Sequence, residues 1–444
     1  MKRIINVLLI LVFVCCVLAA CVTSQNVGGA PDDSNGNDDN VGTNDPSSSI
    51  DEPNSESSGG GDTNTVPPED EKKVIKFTAT GDVLIHDAIH REAKTLASKK
   101  SGYSKTYYFD SMYENIASFV KQADVAFVNH ECPIAGNSYG IDGYPLFNAP
   151  EESGQALIDL GFNVINISNN HMLDMDHKCQ GYKNTIEYWK NKDILQIGGY
   201  ESRTDYDTPR ILEVEGVKIA FLSYTYDMLN YDPSKDALKQ GTALNKNSAG
   251  YIVPIIKDAD ITKHIAAARE KADLVFVSMH WGTENTFNPT KEQKRLAKLI
   301  ADCGADAIIG HHSHTVQPVE WITGKDGNKM LCVYSLGNLI SGMLNTKNMV
   351  GGFISFDIIK ENGKARIENP VFTPTVCHYD ANNSVKDPEG NPTRTNFKVY
   401  LMRDYTEALA KTHGLKYKGA INLNTFKKFV TDTISKEFLP DYLK

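Results

Sequence analysis

Three histidines in four residues, His311, His312 and His314, follow the apolar run Ala307-Ile308-Ile309 and Gly310. The run reads as the end of a buried strand, and a turn after it can present imidazoles side by side. Imidazole is the commonest metal-donating side chain at neutral pH, and the pair His312 and His314, one residue apart, can address two neighbouring ions. Four other apolar runs end in similar clusters: Thr80-Gly81-Asp82 with His86 beyond, Asn129-His130-Glu131, Ser168-Asn169-Asn170-His171 with Asp174 beyond, and Met279-His280-Trp281-Gly282. A single histidine at a strand end is more often structural. Five clusters of carboxylate, amide and imidazole point instead to one place, because ligands of α/β sheets bind at the carboxyl ends of strands. A donor set of histidine, carboxylate and amide without cysteine suits Mn, Fe or Zn rather than a thiolate structural zinc. Six or seven donors are too many for one tetrahedral ion. Two divalent ions roughly 3.5–4 Å apart, sharing a carboxylate, would use them all, and the chemistry of such a pair is hydrolysis by an activated water.

The elements that must position these residues alternate along the chain. Strands are expected at Val74–Thr80, Val125–Asn129, Val164–Ser168, Leu195–Gly198, Val217–Tyr224, Leu274–His280, Ala307–Gly310 and Met330–Ser335, with helical patterns at Tyr113–Gln122, Ser153–Leu160, Tyr182–Lys190, Ile261–Lys271 and Lys291–Cys303. Such alternation predicts an α/β domain with covered sheets. Glu213–Lys218 reads as a hairpin, and Val350–Ile359 with Ala365–Pro374 as an antiparallel pair, so the sheets are mixed. The domain is expected over 73–375, followed by a partly helical C-terminal extension, 376–444.

The N-terminal end carries a different message. Met1-Lys2-Arg3, an apolar run to Ala20 and then Cys21 have the layout of a secretory signal, and Leu18-Ala19-Ala20-Cys21 resembles the lipobox of bacterial lipoproteins. The expected arrangement is a lipoprotein signal peptide over 1–21, lipidation at Cys21, and an extracytoplasmic chain anchored to the bacterial cell membrane. Residues 22–72 carry almost no apolar side chains and read as a disordered tether. Between Val22 and Glu71 lie twelve acidic residues and no basic one, more than the whole net charge of −10, so the remainder is electrically balanced. No basic stripe suggests nucleic acid. Five of the eight cysteines lie beyond Cys21, without a C-x-x-C pair, and read as buried small residues rather than a disulfide framework.

In this order the clusters resemble the calcineurin-like metallophosphoesterase superfamily, and within it the CapA family of poly-γ-glutamate capsule biosynthesis. The resemblance is carried by Gly81-Asp82-Val83-Leu84-Ile85-His86, Asn129-His130-Glu131, Asn169-Asn170-His171-Met172-Leu173-Asp174, His280-Trp281-Gly282-Thr283-Glu284, Gly310–His314 and Tyr334-Ser335-Leu336-Gly337-Asn338. It implies a four-layer αββα sandwich and a dinuclear metal-dependent hydrolase with two divalent ions. It implies Asp82 on the first ion, Glu131 as the bridging carboxylate, Asn170 and His280 on the second ion, and His312 and His314 on one ion each. His171 takes the place of a general acid. The pattern departs at Leu84, where the superfamily has a histidine; His86 is expected either to replace it or to stand behind the ligands. Glutamate stands at the bridging position, with Asn129 two residues earlier as a further ligand or supporting residue. His311 competes with His312, and spacing favours His312. Glu284 is expected to face substrate or lie on the surface, and Asn338 to line the cleft or cap a turn. The implied partners are the membrane through Cys21, an anionic polymer such as poly-γ-glutamate, and a membrane capsule synthase complex. Two alternatives stay open at the level of sequence: a non-catalytic polymer-binding assembly factor, and a surface phosphoesterase acting on small phosphorylated molecules.

Overall fold

The computed structural model describes residues 72–175, 180–226, 252–418 and 421–444. The expected signal, Cys21 and the acidic tether lie outside the described residues, as does Cys179. Among the described residues no helix is long and apolar enough to cross a membrane.

Two mixed sheets form the domain. The first has eight strands: β1 (Lys73–Val83), β2 (Val125–His130), β3 (Val164–Asn166), β4 (Leu195–Ile197), β11 (Asn338–Ile340), β12 (Val350–Glu361), β13 (Lys364–Lys386) and β14 (Pro392–Leu401). Their order is β14-β13-β12-β1-β2-β3-β4, with β11 pairing in parallel with the end of β1. The second has six: β5 (Arg210–Val214), β6 (Val217–Thr225), β7 (Leu274–His280), β8 (Ala307–His311), β9 (Val319–Thr323) and β10 (Lys329–Val333), in the order β5-β6-β7-β8-β10-β9.

The strand period of two explains how the sheets stack. On β7, Leu274 and Phe276 turn toward the first sheet, whereas Val275, Val277 and Met279 pack with Ile261, Ile265, Leu296 and Ile300 of the helices Asp258–Arg269 and Lys291–Asp302. Phe276 meets Phe77 of β1 edge-on at 5.2 Å between ring centroids, and Phe127 of β2 stacks on Phe221 of β6 at 6.4 Å. On the far side of the first sheet, His130 of β2 packs against Trp189 of the helix Gln180–Lys190 and approaches Ser153 of the helix Glu151–Leu160. The layers therefore run helix, sheet, sheet, helix. β7 spans the residues expected from sequence. The hairpin β5–β6 and the antiparallel pair β12–β13 also form.

Two expectations differ from the structure. The helix expected over Tyr113–Gln122 is two short turns, Asp110–Tyr113 and Ala117–Val120. The boundary expected at 375/376 falls inside β13, and β14 is a further strand of the same sheet, so the expected extension begins within the sandwich. Phe397, Val399 and Leu401 are among the buried positions of β14. α-Helices follow at Glu407–Thr412 and Leu423–Thr431. Cys132, Cys332 and Cys377 are buried free thiols, and Cys303 is half-buried and free.

The C-terminal segment supplies a pH dependence. His413 is buried; its Nε2 donates to Cys377 O at 3.1 Å and its Nδ1 accepts from Leu415 N at 3.1 Å. Both nitrogens are satisfied only in the neutral ring. Burial, reinforced by the nearby His378, pushes its pKa down to about 4. The folded value lies below the unfolded one, so its contribution is complete above pH ~6.5 and is lost as the pH falls toward 4, amounting to about 3 kcal/mol. Urea unfolding between pH 7 and 4.5 is expected to show this loss, and His413→Gln to flatten it. An unchanged slope in the variant would refute the assignment.

Candidate metal centre

The first carboxylate reaches the centre because β1 carries a bulge. Phe77 pairs with Val125 and Ala79 with Phe127, but Asp82 rather than Gly81 pairs with Asn129, the register shifting between Thr80 and Asp82. The extra residue moves Asp82 onto the face between the sheets. Gly81 is required there: a Cβ on it would lie 1.8 Å from Gly337 O. Gly310 plays the same part at the end of β8, where a Cβ would lie 2.1 Å from Tyr334 O. On β2 the same face carries Asn129 and, just past the strand, Glu131. On β7 it carries His280, which is level with His311 of β8. His312 and His314 then take positive φ values, 87° and 54°, in the turn after β8.

Asp82, Glu131 and His280 are completely buried, and Asn170, His312 and His314 nearly so. His280 Nε2 lies 2.7 Å from Asn170 Oδ1 and 3.3 Å from Glu131 Oε1. His314 Nδ1 lies 3.3 Å from Asp82 Oδ2, and its Nε2 3.9 Å from Glu131 Oε1. Two groups of donor atoms within 4.8 Å of one another result, Glu131–His280–His312 and Asp82–Glu131–His314, and Glu131 belongs to both.

The electrostatics of this cluster call for cations. Burial works against an ionised Asp82, but hydrogen bonds and charge from His311 and His314 outweigh it and hold the carboxyl well below its usual range. Burial pushes Glu131 well above its usual range, and the charges of Asp82 and Glu284 add to the effect. Burial and the neighbouring His312 keep His280 well below an ordinary imidazole, and burial with His314 brings His312 down to about 3. For His314 burial is outweighed by Asp82, and its pKa rises. Both carboxylate oxygens of Glu131 and Nδ1 of His312 are buried with no hydrogen-bond partner among the described residues. Unpaired buried acceptors are costly, and divalent cations between these donors would satisfy them. The residues present therefore fit the two-ion group that the donor chemistry suggests.

The supporting residues are as specific as the donors. Asn129 Nδ2 donates to Asp82 Oδ1 at 2.8 Å, Asn166 Nδ2 to Asn129 Oδ1 at 2.8 Å, and Ser223 Oγ to Asn166 Oδ1 at 2.6 Å. This buried chain crosses from one sheet to the other and orients Asp82, so Asn129 stands behind the centre. Asn338 Oδ1 accepts from His314 Nδ1 at 3.0 Å, leaving Nε2 as that ring's remaining donor, and Asn348 Nδ2 donates to His314 O at 2.9 Å. Asn166, Ser223 and Asn348 are not singled out by the sequence motifs. The lone asparagine within Val164-Ile165-Asn166-Ile167 is the one available signal, since an amide in an apolar strand needs a buried partner.

His171 Nδ1 lies 2.5 Å from Asp174 Oδ2, and Phe147 N also donates to that oxygen at 2.9 Å. Burial raises the Asp174 carboxyl against the opposing influence of His171. His311 is fully buried with Nδ1 3.3 Å from Asp82 Oδ1 and its ring stacked on Phe127, yet it joins neither donor group. His86 is absent from both as well. It directly precedes the helix Asp87–Lys99, its Nδ1 accepts from Gly342 N at 3.2 Å, and its ring meets Phe147 edge-on. Glu284 is exposed and lies in a further group with His312 and His314.

The family model described as bacterial capsule synthesis protein PGA_cap matches residues 76–343. The capsule biosynthesis protein CapA of Bacillus anthracis is 29% identical over 300 residues, 66% of this chain and 66% of the relative. The PGA biosynthesis protein CapA of Bacillus subtilis is 30% identical over 272 residues, 61% of this chain and 66% of the relative. The match thus spans just under two thirds of each relative's length. Among solved structures, the calcineurin-like phosphoesterase YfkN from Bacillus subtilis aligns with a TM-score of 0.37 at 13% identity, covering 68% of this chain and 90% of that one. With the family model covering more than half of its length, this chain belongs to the bacterial capsule synthesis protein PGA_cap family.

Proposed function

We propose that this chain is a poly-γ-glutamate capsule biosynthesis protein, held outside the cytoplasm by a lipid on Cys21 and carrying a dinuclear hydrolytic centre. The relatives' names supply the polymer. The observation that carries the hydrolytic reading is Glu131, shared by two donor groups with both oxygens lacking a hydrogen bond among the described residues. In this reading Asp82, Glu131 and His314 hold one ion, and Glu131, Asn170, His280 and His312 the other. Two such ions polarise the bond to be cleaved and lower the pKa of a water. The protein's own residues do the rest. The Asn129–Asn166–Ser223 chain and Asn338 fix the donors, and burial keeps His280 and His312 neutral as donors. Asp174 Oδ2 fixes the His171 ring through Nδ1, and His171 is the general acid of this reading. Acting on an envelope polymer, such a centre would work beside a membrane synthase.

The test is to load purified protein with Mn²⁺ and assay poly-γ-glutamate and a phosphoester. We expect two ions per chain and cleavage of the polymer. His171→Ala should keep both ions and the fold while losing about 10²- to 10⁴-fold in rate. Loaded protein inert toward both substrates would leave a polymer-binding role in place of hydrolysis. Cleavage of the phosphoester alone would replace the polymer with a phosphorylated substrate.

A further inference from the structure

From the donors at the mouth of the site, we infer that Glu284, His312 and His314 form an outer, solvent-facing position for a divalent cation, through which ions reach the buried pair. This rests on the two-ion reading above. The inner donors have no exposed surface of their own: Asp82, Glu131 and His280 are all fully buried. Glu284 is exposed, and its carboxylate oxygen and one nitrogen each of His312 and His314 lie within 4.8 Å of one another. One carboxylate with two imidazoles suits the same borderline divalent metals as the inner set.

Two further observations support the position. The loop carrying Glu284 is built onto the histidine turn. Asn285 N donates to Ser313 O at 2.7 Å, Thr315 Oγ1 to Thr286 O at 2.6 Å, and Gln317 Nε2 to Thr286 O at 3.0 Å. Gly282, at φ 97°, and Asn285, at φ 60°, make the reversals that close it. In addition, Nδ1 of the nearly buried His312 has no partner among the described residues. The Glu284 carboxylate has neither a hydrogen bond nor an ion pair among the described residues, which an ordinary surface glutamate also shows. The two histidine nitrogens beside it distinguish it.

The same geometry makes the position transient. His314 commits Nδ1 to Asn338 Oδ1, so it has only Nε2 to offer. That nitrogen faces Glu131 and cannot serve an outer and an inner ion together. An ion held by Glu284, His312 and His314 would therefore exchange Glu284 for the buried carboxylates, which would leave Glu284 open again.

The full-length chain, stripped with a chelator, is mixed with Co²⁺ and followed by visible absorption in stopped flow, with final occupancy measured by metal analysis. Glu284→Gln is expected to load about tenfold more slowly, the scale of electrostatic steering at a charged mouth, and to end at the same two ions with an unchanged melting temperature of the stripped protein. Glu284→Asp should recover part of the rate. Glu292→Gln, which removes another exposed carboxylate, should load like the unaltered chain. Loading of Glu284→Gln at the unaltered rate overturns the inference, as does a lower final occupancy, which would make Glu284 a resident ligand. Unaltered protein that takes up no Co²⁺ refutes the two-ion reading, and the entry position with it.

Discussion

Glu131→Gln is expected to abolish the stabilisation that divalent ions give this protein while leaving the metal-free fold at least as stable. The sign follows from the two buried carboxylates. Burial and the charge of Asp82 push Glu131 well above its ordinary pKa, so in the metal-free state this side chain opposes folding. A neutral amide of the same shape removes that opposition. With ions present the order reverses, because Glu131 is the donor common to both groups. Ligand at a hundredfold excess over its Kd stabilises by about 2.7 kcal/mol per site, so the unaltered chain should gain several degrees in Mn²⁺ and the variant almost none. Thermal unfolding with and without Mn²⁺, alongside metal analysis, measures both halves. A variant that retains two ions would show that Glu131 does not bridge. A metal-free variant markedly less stable than the unaltered protein would show that the carboxylate is held by hydrogen bonds instead.

Gly81→Ala is expected to cost at least about 3 kcal/mol, in the range of severe overpacking. Its Cβ would lie 1.8 Å from Gly337 O, 2.8 Å from Gly337 C and 3.1 Å from Leu336 C, all backbone atoms that no rotamer change can move aside. Asp82 N donates to that same Gly337 O at 2.9 Å, so the strand that must shift is the one that aims the carboxylate. Stability and metal occupancy should therefore fall together. Gly327→Ala is the control: Gly327 has φ 83°, but a methyl group on it would meet nothing within 4 Å, so only the conformational cost of about 1 kcal/mol remains. Urea unfolding of the two variants separates contact from conformation. Equal costs would mean that β1 and the Gly337 turn yield freely, and that the bulge does not fix Asp82.

By itself the chain's order of residues determined the strand-end clusters, the α/β alternation and the donor chemistry. These are local properties: an apolar run of strand length, the polar residues that end it, and their spacing. Tertiary structure alone decided which side chains meet. The shift between Thr80 and Asp82 reverses the face that Asp82 occupies, and a one-residue slip of that kind leaves no mark in a period-two pattern. His86, four residues after Asp82, is an equal candidate on spacing, but the chain has already turned into the helix Asp87–Lys99 and carries it to Gly342 and Phe147. Asn166 and Ser223 are 57 positions apart and on different sheets, so their hydrogen bond exists only once the sheets stack. Glu284 likewise stands between surface and substrate on sequence, and only the tie of its loop to the histidine turn through Ser313 brings its carboxylate beside His312 and His314. The residue types that activate water are written locally; the positions that make them a centre arise from register, bulge and sheet packing, which are properties of the whole fold.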